Sequence, residues 1–462
     1  MLKQQKIFFD FLRFCIGFAK EIPGSLKEAD WKELYAIAKK QCLVGVLFDG
    51  IKKLPAEHVG MKKELLLQWM AESQMLEKAN VRLNDAAIQV SEWFRKKGFR
   101  TCNLKGQGNA LMYPNPYSRT PGDIDIWVEG GDNRVISFVR SISPHEKACY
   151  HHIEFPSYKG VEVEVHYRPS FLLCFWHNRK LQKYYERVKE EQFSHRVMLG
   201  EQGEIAIPTV EFNLIFQLTH IFSHLMNEGI GLRQLVDYYY VLCDFYKVYQ
   251  KSSKTHPSSL TLKGGSTAFP KPLSNGLYTP FGSPVSGGQK PQGAGDVIAP
   301  PRRSEPLRSK VGGPSKVSPD CAGWDRLSIE GDNSAASTTA VTSSASTALD
   351  VVQKELKELG LWKFAGGIMY IMQEVFGMPA SRLIVPPNEK YGKFVLNEML
   401  EAGNFGRHDA RNRFGRSQLG HNLQRVYRDI RLVRYFPAEA LCEPLFRTWH
   451  FFWRLKYKKL NN

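Results

Sequence analysis

The sequence contains no long apolar run. Nowhere among its 462 residues do about 18 uninterrupted apolar residues occur, which is the least that a membrane-spanning helix requires. The opening stretch MLKQQKIFFDFLRFCIGFAKEIP combines basic and apolar residues as a signal peptide does, but Asp10 and Arg13 interrupt its apolar part and no small-residue cleavage site follows. The sequence therefore predicts an amphipathic helix here, no membrane span and a cytoplasmic protein.

Closely spaced cysteines are also lacking. The eight cysteines are scattered at positions 15, 42, 102, 149, 174, 243, 321 and 442, and none forms a CxxC pair. This pattern argues against a zinc ribbon and against a dense disulfide framework. We expect reduced thiols.

Acidic residues are outnumbered. The chain has 63 Lys and Arg against 46 Asp and Glu, which gives a formal charge of +17. Such a charge favours polyanionic partners, namely nucleotides, nucleic acid or an acidic membrane surface. Hydrophobic residues make up 43% of the chain, and its length predicts two or three folded units.

Large apolar side chains are scarce in residues 251–350, where Ser, Gly, Pro, Thr and Lys dominate. A segment of this composition cannot bury enough apolar surface to offset its ordering entropy, so we expect it to be disordered. Helical patterns precede and follow it. The segment is therefore interpreted as an insertion that interrupts one C-terminal helical domain, residues 205–250 and 351–462.

The rest of the chain reads as helices around a small α/β unit. Residues 1–97 have helical apolar spacing, and their last helix stops at Gly98. Residues 98–200 form the predicted α/β core, and within it residues 99–168 read as strand, helix, strand, helix and two strands. The last two strands, in KACYHHIEF and GVEVEVHYR, form a predicted hairpin.

Acidic side chains recur at alternate positions in two of these strands. Asp123 and Asp125 in DIDIWV share one strand face, where two close carboxylates repel each other unless a cation offsets them. Glu162, Glu164 and His166 also share a face and offer a third carboxylate. Magnesium, or manganese, is the cation expected at such oxygen ligands, and two ions there would orient a triphosphate for in-line displacement.

A glycine-containing loop, LKGQGNALMY, precedes the aspartates. It places Lys105, Gly106 and Gly108 between a strand and a helix, where free backbone N–H groups and the helix dipole favour an anion. The loop lacks the GxxxxGK[ST] spacing of a Walker loop.

Together these motifs resemble the uncharacterised nucleotidyltransferase family of the polymerase-beta superfamily. The resemblance covers roughly residues 30–250 and includes HHIEF and GLRQLVDYYYVL. It implies that Asp123 and Asp125 bind metal and that Glu164 is the third carboxylate. The positions that match the family pattern are Lys105 and Gly106, Tyr113 and Pro114, Arg119, Asp123 and Asp125, Glu164, and His166.

The expected fold is α+β, with a small mixed-sheet nucleotidyltransferase core flanked by N-terminal and C-terminal helical regions and a long disordered insertion. The expected reaction is metal-dependent transfer of a nucleoside monophosphate from a nucleoside triphosphate to an acceptor hydroxyl, with release of pyrophosphate. Lys105, Gly106 and Gly108 would cradle the triphosphate, and Arg119 would steady a phosphate or the metal-site strand. The acceptor could be a small molecule, RNA or protein.

Two alternatives remain from the sequence. One is a catalytically silent nucleotide-binding regulatory module. The other is an RNA-binding protein that uses a basic C-terminal face, where Arg425, Arg428, Arg431 and Arg434 recur at helical spacing. A solvated helix face is the simpler reading of that stripe. The segment FRTWHFFWRLKYKK could contact a membrane surface or contribute to the core.

Further polar residues are pocket candidates. His166 is expected to make structural hydrogen bonds near the site. Arg233 and Asp237 share one helix face and could line the nucleotide cleft or form an internal ion pair. His220 and His224 have a spacing that can bind zinc, but no third ligand accompanies them, which favours core or pocket histidines.

Overall fold

The computed structural model describes residues 3–201, 203–254, 338–406 and 418–459, together with 409 and 411. Helices dominate these residues and surround a small sheet, so the α+β prediction is confirmed. No helix in the described ranges is both long enough and apolar enough to cross a membrane.

Four helices open the chain. They are α1 (Lys3–Cys15), α2 (Trp31–Lys40), α3 (Val44–Ile51) and α4 (Lys63–Lys96). The first is the predicted amphipathic helix, and it buries Phe8 and Phe11 in the core. The last ends just before Gly98, whose φ of +80° is the left-handed conformation that glycine adopts without strain.

The core carries a four-stranded mixed sheet. Its elements are β1 (Thr101–Asn103), α5 (Gln107–Ala110), β2 (Ile124–Val128), α6 (Gly131–Ile142), β3 (His152–Tyr158) and β4 (Val161–His166). The strand order is β1-β2-β4-β3, with β2 and β4 parallel and the two outer strands antiparallel to their neighbours. The predicted hairpin is therefore confirmed as β3–β4.

The two faces of this sheet have different surroundings. Ile124, Ile126 and Val128 of β2 lie in one apolar cluster with residues of α4 and α6. Because side chains alternate along a strand, Asp125 and Trp127 point to the opposite face. The Trp127 ring lies with its centroid 4.7 Å from that of Phe193, so apolar packing continues directly beside the aspartate.

The remaining elements are mostly helical. They are α7 (Phe175–Ser194), β5 (Arg196–Met198), β6 (Glu204–Ala206), α8 (Val210–Asn227), α9 (Leu232–Lys254), α10 (Thr338–Glu358), α11 (Trp362–Glu374), α12 (Glu389–Ala402), α13 (Gln418–Leu432) and α14 (Pro437–Lys459). The β5–β6 pair was not predicted, because strands of three residues leave almost no periodic signal.

The predicted disordered segment, residues 251–350, lies between α9 and α10. Helix α9 continues to Lys254 and α10 begins at Thr338, so both ends of that range are helical, while residues 255–337 lie outside the described part. The helices on either side share one apolar cluster, to which α9 contributes Leu235 and α11 contributes Phe364. Phe8 of α1 belongs to the same cluster, although the division of the chain into domains stays a prediction.

Helix α13 departs in part from the expectation of a solvated arginine stripe, because Arg425 and Arg434 are exposed whereas two other arginines turn inward. Arg428 is only 8% exposed and donates to the carbonyl of Glu228, and Arg431 donates to Glu398. The apolar side faces outward instead, with Ile430 65% exposed. The inward side meets the carbonyl of Glu228 and the carboxylate of Glu398, which each accept from one guanidinium nitrogen, and spacing along the helix alone could not reveal these partners.

The aromatic segment of α14 divides between core and surface. Phe446 and Tyr457 are buried, whereas Phe451 and Phe452 are exposed. The arginine-rich segment GRHDARNRFGR, residues 406–416, lies mostly outside the described residues.

Candidate active site

Three carboxylates converge where β2 and β4 run side by side. Asp125 is paired in register with Glu164 across the parallel strands, and Asp123 immediately precedes β2. Their oxygen atoms lie within 4.8 Å of one another. Glu162 is exposed and stands outside this cluster, so the in-register partner of Asp125 is the glutamate that the resemblance indicates.

Lys105 and His166 contact the most buried of the three carboxylates. The Lys105 Nζ lies 2.9 Å from Asp125 Oδ1, and the His166 Nε2 lies 3.0 Å from the same oxygen. The side chain of Asp125 is 2% exposed. A buried carboxylate requires such charged hydrogen-bond partners, and here the loop before α5 and the end of β4 supply them.

The environment separates the proton affinities of the acids. The charge of Asp125, followed by burial, raises the pKa of Asp123. Burial alone would raise the pKa of Asp125 too, but Lys105 and the hydrogen bond from His166 outweigh it and hold that pKa well below the ordinary value. For Glu164, burial is likewise outweighed by the hydrogen bond from His166, so its pKa is lowered.

His166 is held as a cation by its neighbours. Burial opposes its charge, but the hydrogen bonds to Asp125 and Glu164 raise its pKa to about 9. Its Nδ1 lies 3.3 Å from the carbonyl oxygen of Arg168, so both ring nitrogens face acceptors. Its predicted structural hydrogen-bonding position beside the site is therefore observed.

The two histidines of HHIEF, His151 and His152, also lie beside these acids. His152 stands opposite His166 in the β3–β4 ladder, and its Nδ1 lies 3.3 Å from Glu164 Oε2. Burial and the charge of His166 lower the pKa of His152 to about 4. His151 Nε2 lies 3.1 Å from His152 Nδ1, and burial holds the pKa of His151 well below its ordinary range. In the sequence these histidines contribute only to the family resemblance, although hairpin register places His152 on the acidic face.

The histidines of α8 form the wall across the cavity. His220 Nε2 lies 3.2 Å from Lys105 Nζ and 3.1 Å from His224 Nε2. Burial and the charge of Lys105 hold the pKa of His220 well below its ordinary value. Both residues are pocket histidines, and His224 also pairs with Glu228 at 3.4 Å.

Arg119 is engaged by another side chain. Its Nε and Nη2 donate to the two carboxylate oxygens of Asp237 at 2.8 and 2.9 Å, and Tyr113 donates to the same carboxylate at 2.6 Å. Arg119 is 3% exposed. The internal ion pair expected for Asp237 thus forms with Arg119, whereas Arg233 donates to the carbonyl of Thr120. All three charged residues border the cavity.

The two glycines of the loop have different surroundings. Gly106 has a φ of +63° and lines the cavity directly before α5. Gly108 lies inside α5, where an added Cβ would come within 2.9 Å of Ile207, and it is not among the cavity residues. Gly108 therefore serves helix packing, and only Lys105 and Gly106 of the predicted cradle face the cavity.

The carboxylates open into a cavity of about 580 Å³. This volume lies within the range typical of small-molecule sites. Its far wall comes from α14, which contributes Phe446, Arg447 and His450. The sequence motifs did not predict these residues, because α14 is remote from β4 in the chain and its spacing shows only a helix.

The donor set at the acids suits a hard divalent cation. Asp123, Asp125 and Glu164 offer oxygen atoms to one point, and Mg²⁺ and Mn²⁺ prefer such ligands. The like charges that raise the pKa of Asp123 are the repulsion that a bound cation would relieve.

Comparison with known proteins gives one match. Residues 27–248 match the family model described as uncharacterised nucleotidyltransferase. Comparisons with curated proteins and with solved structures gave no match. The matched segment begins just before α2, includes the carboxylate strands and ends within α9. Residues 27–248 thus carry a domain of the uncharacterised nucleotidyltransferase family, which confirms the resemblance drawn from the sequence motifs.

Proposed function

We propose that the protein transfers a nucleoside monophosphate from a nucleoside triphosphate to an acceptor hydroxyl and releases pyrophosphate, with Mg²⁺ or Mn²⁺ as cofactor. The observation that carries this proposal is the convergence of Asp123, Asp125 and Glu164 at one point of the cavity. The family of residues 27–248 supports nucleotidyl transfer as the reaction class.

The cation would be held by Asp123, Asp125 and Glu164. When bound, it would supply Lewis-acid stabilisation of the charge that develops on the phosphate oxygens. The ammonium of Lys105 can bind the triphosphate. A phosphate oxygen can accept the hydrogen bond that Asp125 accepts in its absence. Gly106 keeps the backbone beside it free of a side chain.

In the reaction, the acceptor oxygen forms a bond to the α-phosphorus while the bridging bond to the β-phosphate breaks. Pyrophosphate leaves with the electron pair of that bond. Glu164 takes the proton of the acceptor hydroxyl, since its side chain is 32% exposed whereas that of Asp125 is 2% exposed. The hydrogen bond from His166 orients the carboxylate for this step, and the His152 ring, with its Nδ1 3.3 Å from Glu164 Oε2, lies beside it.

The test is transfer of label from each of the four α-labelled ribonucleotides, with Mg²⁺ or Mn²⁺, in the presence and absence of cell extract. We expect wild-type protein to label an RNA, a protein or a small molecule. Asp123→Asn and Asp125→Asn should each reduce transfer by at least about 100-fold, because each removes a charged ligand that stabilises the transition state.

A matched pair of variants distinguishes the loss of a site carboxylate from the loss of a surface carboxylate. Glu164→Gln should lose transfer as the aspartate variants do, whereas Glu162→Gln, at an exposed position of the same strand, should keep it. Near-normal transfer by both aspartate variants would overturn the proposal. Metal-dependent nucleotide binding by the wild type, with no product from any acceptor pool, would favour the silent regulatory module instead.

A further inference from the structure

A second group of metal-binding side chains lies where α7 and α14 begin. Cys174 caps α7, and His177 follows three residues later. Glu439 lies in the first turn of α14, and Cys442 follows it at the same spacing. The two segments are far apart in the sequence, so the patterns CxxH and ExxC come together only in the folded chain.

Three of these side chains already have their donor atoms close together. The Cys174 sulfur, a ring nitrogen of His177 and a carboxylate oxygen of Glu439 lie within 4.8 Å of one another. His177 Nδ1 lies 3.0 Å from Glu439 Oε1. Cys174 and Glu439 are buried, and the side chain of His177 is 24% exposed. The cluster is therefore ordered by packing and reachable from one side.

The two oxygens of Glu439 have separate partners. Its Oε2 accepts hydrogen bonds from the backbone N–H groups of Leu173 and Cys174, at 2.6 and 2.8 Å. This contact satisfies the start of α7 and fixes the carboxylate. Oε1 is left facing His177, so helix capping accounts for one oxygen and leaves the other for a further ligand.

The fourth side chain is the Cys442 thiol, which is a hydrogen-bonding neighbour of Cys174. Burial and the adjacent Cys174 raise the pKa of the Cys442 thiol to about 11. The three close donor atoms thus have a second thiol beside them, so that two thiols, an imidazole and a carboxylate are neighbours. Structural zinc sites take four ligands of these chemical types in tetrahedral geometry.

We propose that Cys174, His177, Glu439 and Cys442 bind a structural Zn²⁺. The sulfur and nitrogen donors favour zinc over magnesium, and two thiolates and one carboxylate would neutralise the ion and leave one net negative charge on the filled site. Both thiol protons would leave on binding. The site is distinct from the carboxylates of the cavity, and it does not depend on nucleotidyl transfer.

The metal would tie α14 to the domain that carries the acids. Glu443 and Phe446 line the cavity directly after Cys442, and Leu173 lines it directly before Cys174. An ion that bridges the two helix starts would hold this wall of the cavity in place. Its contribution would be to the position of α14 and to stability, with no contact to the reacting atoms.

The test uses the full chain without an affinity tag. Metal content should show about one zinc per chain after purification. Titration of the metal-free wild type with Co²⁺ should give the thiolate-to-cobalt charge-transfer absorption that reports cysteine ligands. The absence of both zinc and this absorption in the wild type would overturn the proposal, and this measurement needs no variant to fold.

Variants then locate the site. Cys174→Ser and Cys442→Ser should each weaken zinc binding by at least about 100-fold, whereas Cys243→Ser, at a half-buried thiol of α9 outside the cluster, should bind as the wild type does. The Asp123→Asn/Asp125→Asn double variant should keep its zinc. Unchanged zinc in a Cys174→Ser/Cys442→Ser double variant, or a stable disulfide between these cysteines in place of metal, would contradict the assignment.

Discussion

His166 links the carboxylates of the cavity to the pH dependence of folding. Its pKa is raised from 6.5 to about 9, so the folded state keeps a proton that the unfolded chain releases. Its stabilising contribution is therefore complete below about pH 6.5 and is lost as the pH rises through about 9. We expect the free energy of unfolding of the metal-free protein to fall by about 3 kcal/mol across this window.

Denaturant unfolding at several pH values, in the presence of a chelator, measures this slope. His166→Asn should flatten it, and His145→Asn, at an exposed histidine, should leave it unchanged. The neutral neighbours His151 and His152 have lowered pKa values, so they titrate below this window and do not contribute to it. A His166→Asn variant with the wild-type slope would contradict the assigned protonation.

The carboxylates of the site were predictable from the sequence because strand periodicity is a local property. Asp123 and Asp125 are two residues apart, and this spacing alone places them on one face. The choice of Glu164 needed the resemblance, and the register with Asp125 then placed it in the cluster. The partner of Arg119 was not predictable, because Asp237 is distant in sequence and nothing in the local pattern pairs them.

The close packing of α11 against α12 requires glycine where the helices meet. A Cβ on Gly392 would lie 2.3 Å from Cδ1 and 2.6 Å from Cβ of Tyr370, so Tyr370 cannot avoid it by turning its ring alone. Helix propensity favours alanine by about 1 kcal/mol, but overpacking costs typically about 1 to 3 kcal/mol. We expect Gly392→Ala to destabilise the protein by at least about 1 kcal/mol.

Thermal and denaturant unfolding measure this change. Gly24→Ala is a suitable control, because no atom lies within 4 Å of the added Cβ and the residue is exposed. The control should match the wild type. If Gly392→Ala were more stable than the wild type, helix propensity would outweigh the contact, and the two helices would have room to separate.

Helix positions were easier to predict than helix orientation. Spacing located α13, α14 and the stop of α4 at Gly98, because these signals lie within one element. The side of α13 that faces inward depends on Glu398 of α12 and on Glu228, the residue that follows α8. An amphipathic pattern identifies two faces, but the neighbouring elements decide which one is buried.

The apolar cluster that joins α9 to α11 determines whether the two parts of the chain stay associated after cleavage between them. It predicts that the helices before and after residues 255–337 stay together without a covalent link, because their buried side chains pack on one another. Brief trypsin treatment should cut within residues 255–337, where the composition predicts disorder. The two fragments should then elute together in gel filtration.

The control is the same digest in strong denaturant, where the fragments should separate. Dissociation of the fragments in native buffer would show that the chain connection holds the helices together. Resistance of residues 255–337 to trypsin would contradict the prediction from composition.

The wall that α14 adds to the cavity also affects the order in which the site is completed during synthesis. The ribosome delivers Asp123, Asp125 and Glu164 well before Phe446, Arg447 and His450, which lie far downstream in the sequence. A nascent chain therefore carries every acid of the site in a cleft that is still open to water on one side. The α14 wall of the cavity can form only after α14 has been synthesised, so the direction of translation sets the order in which the site is completed.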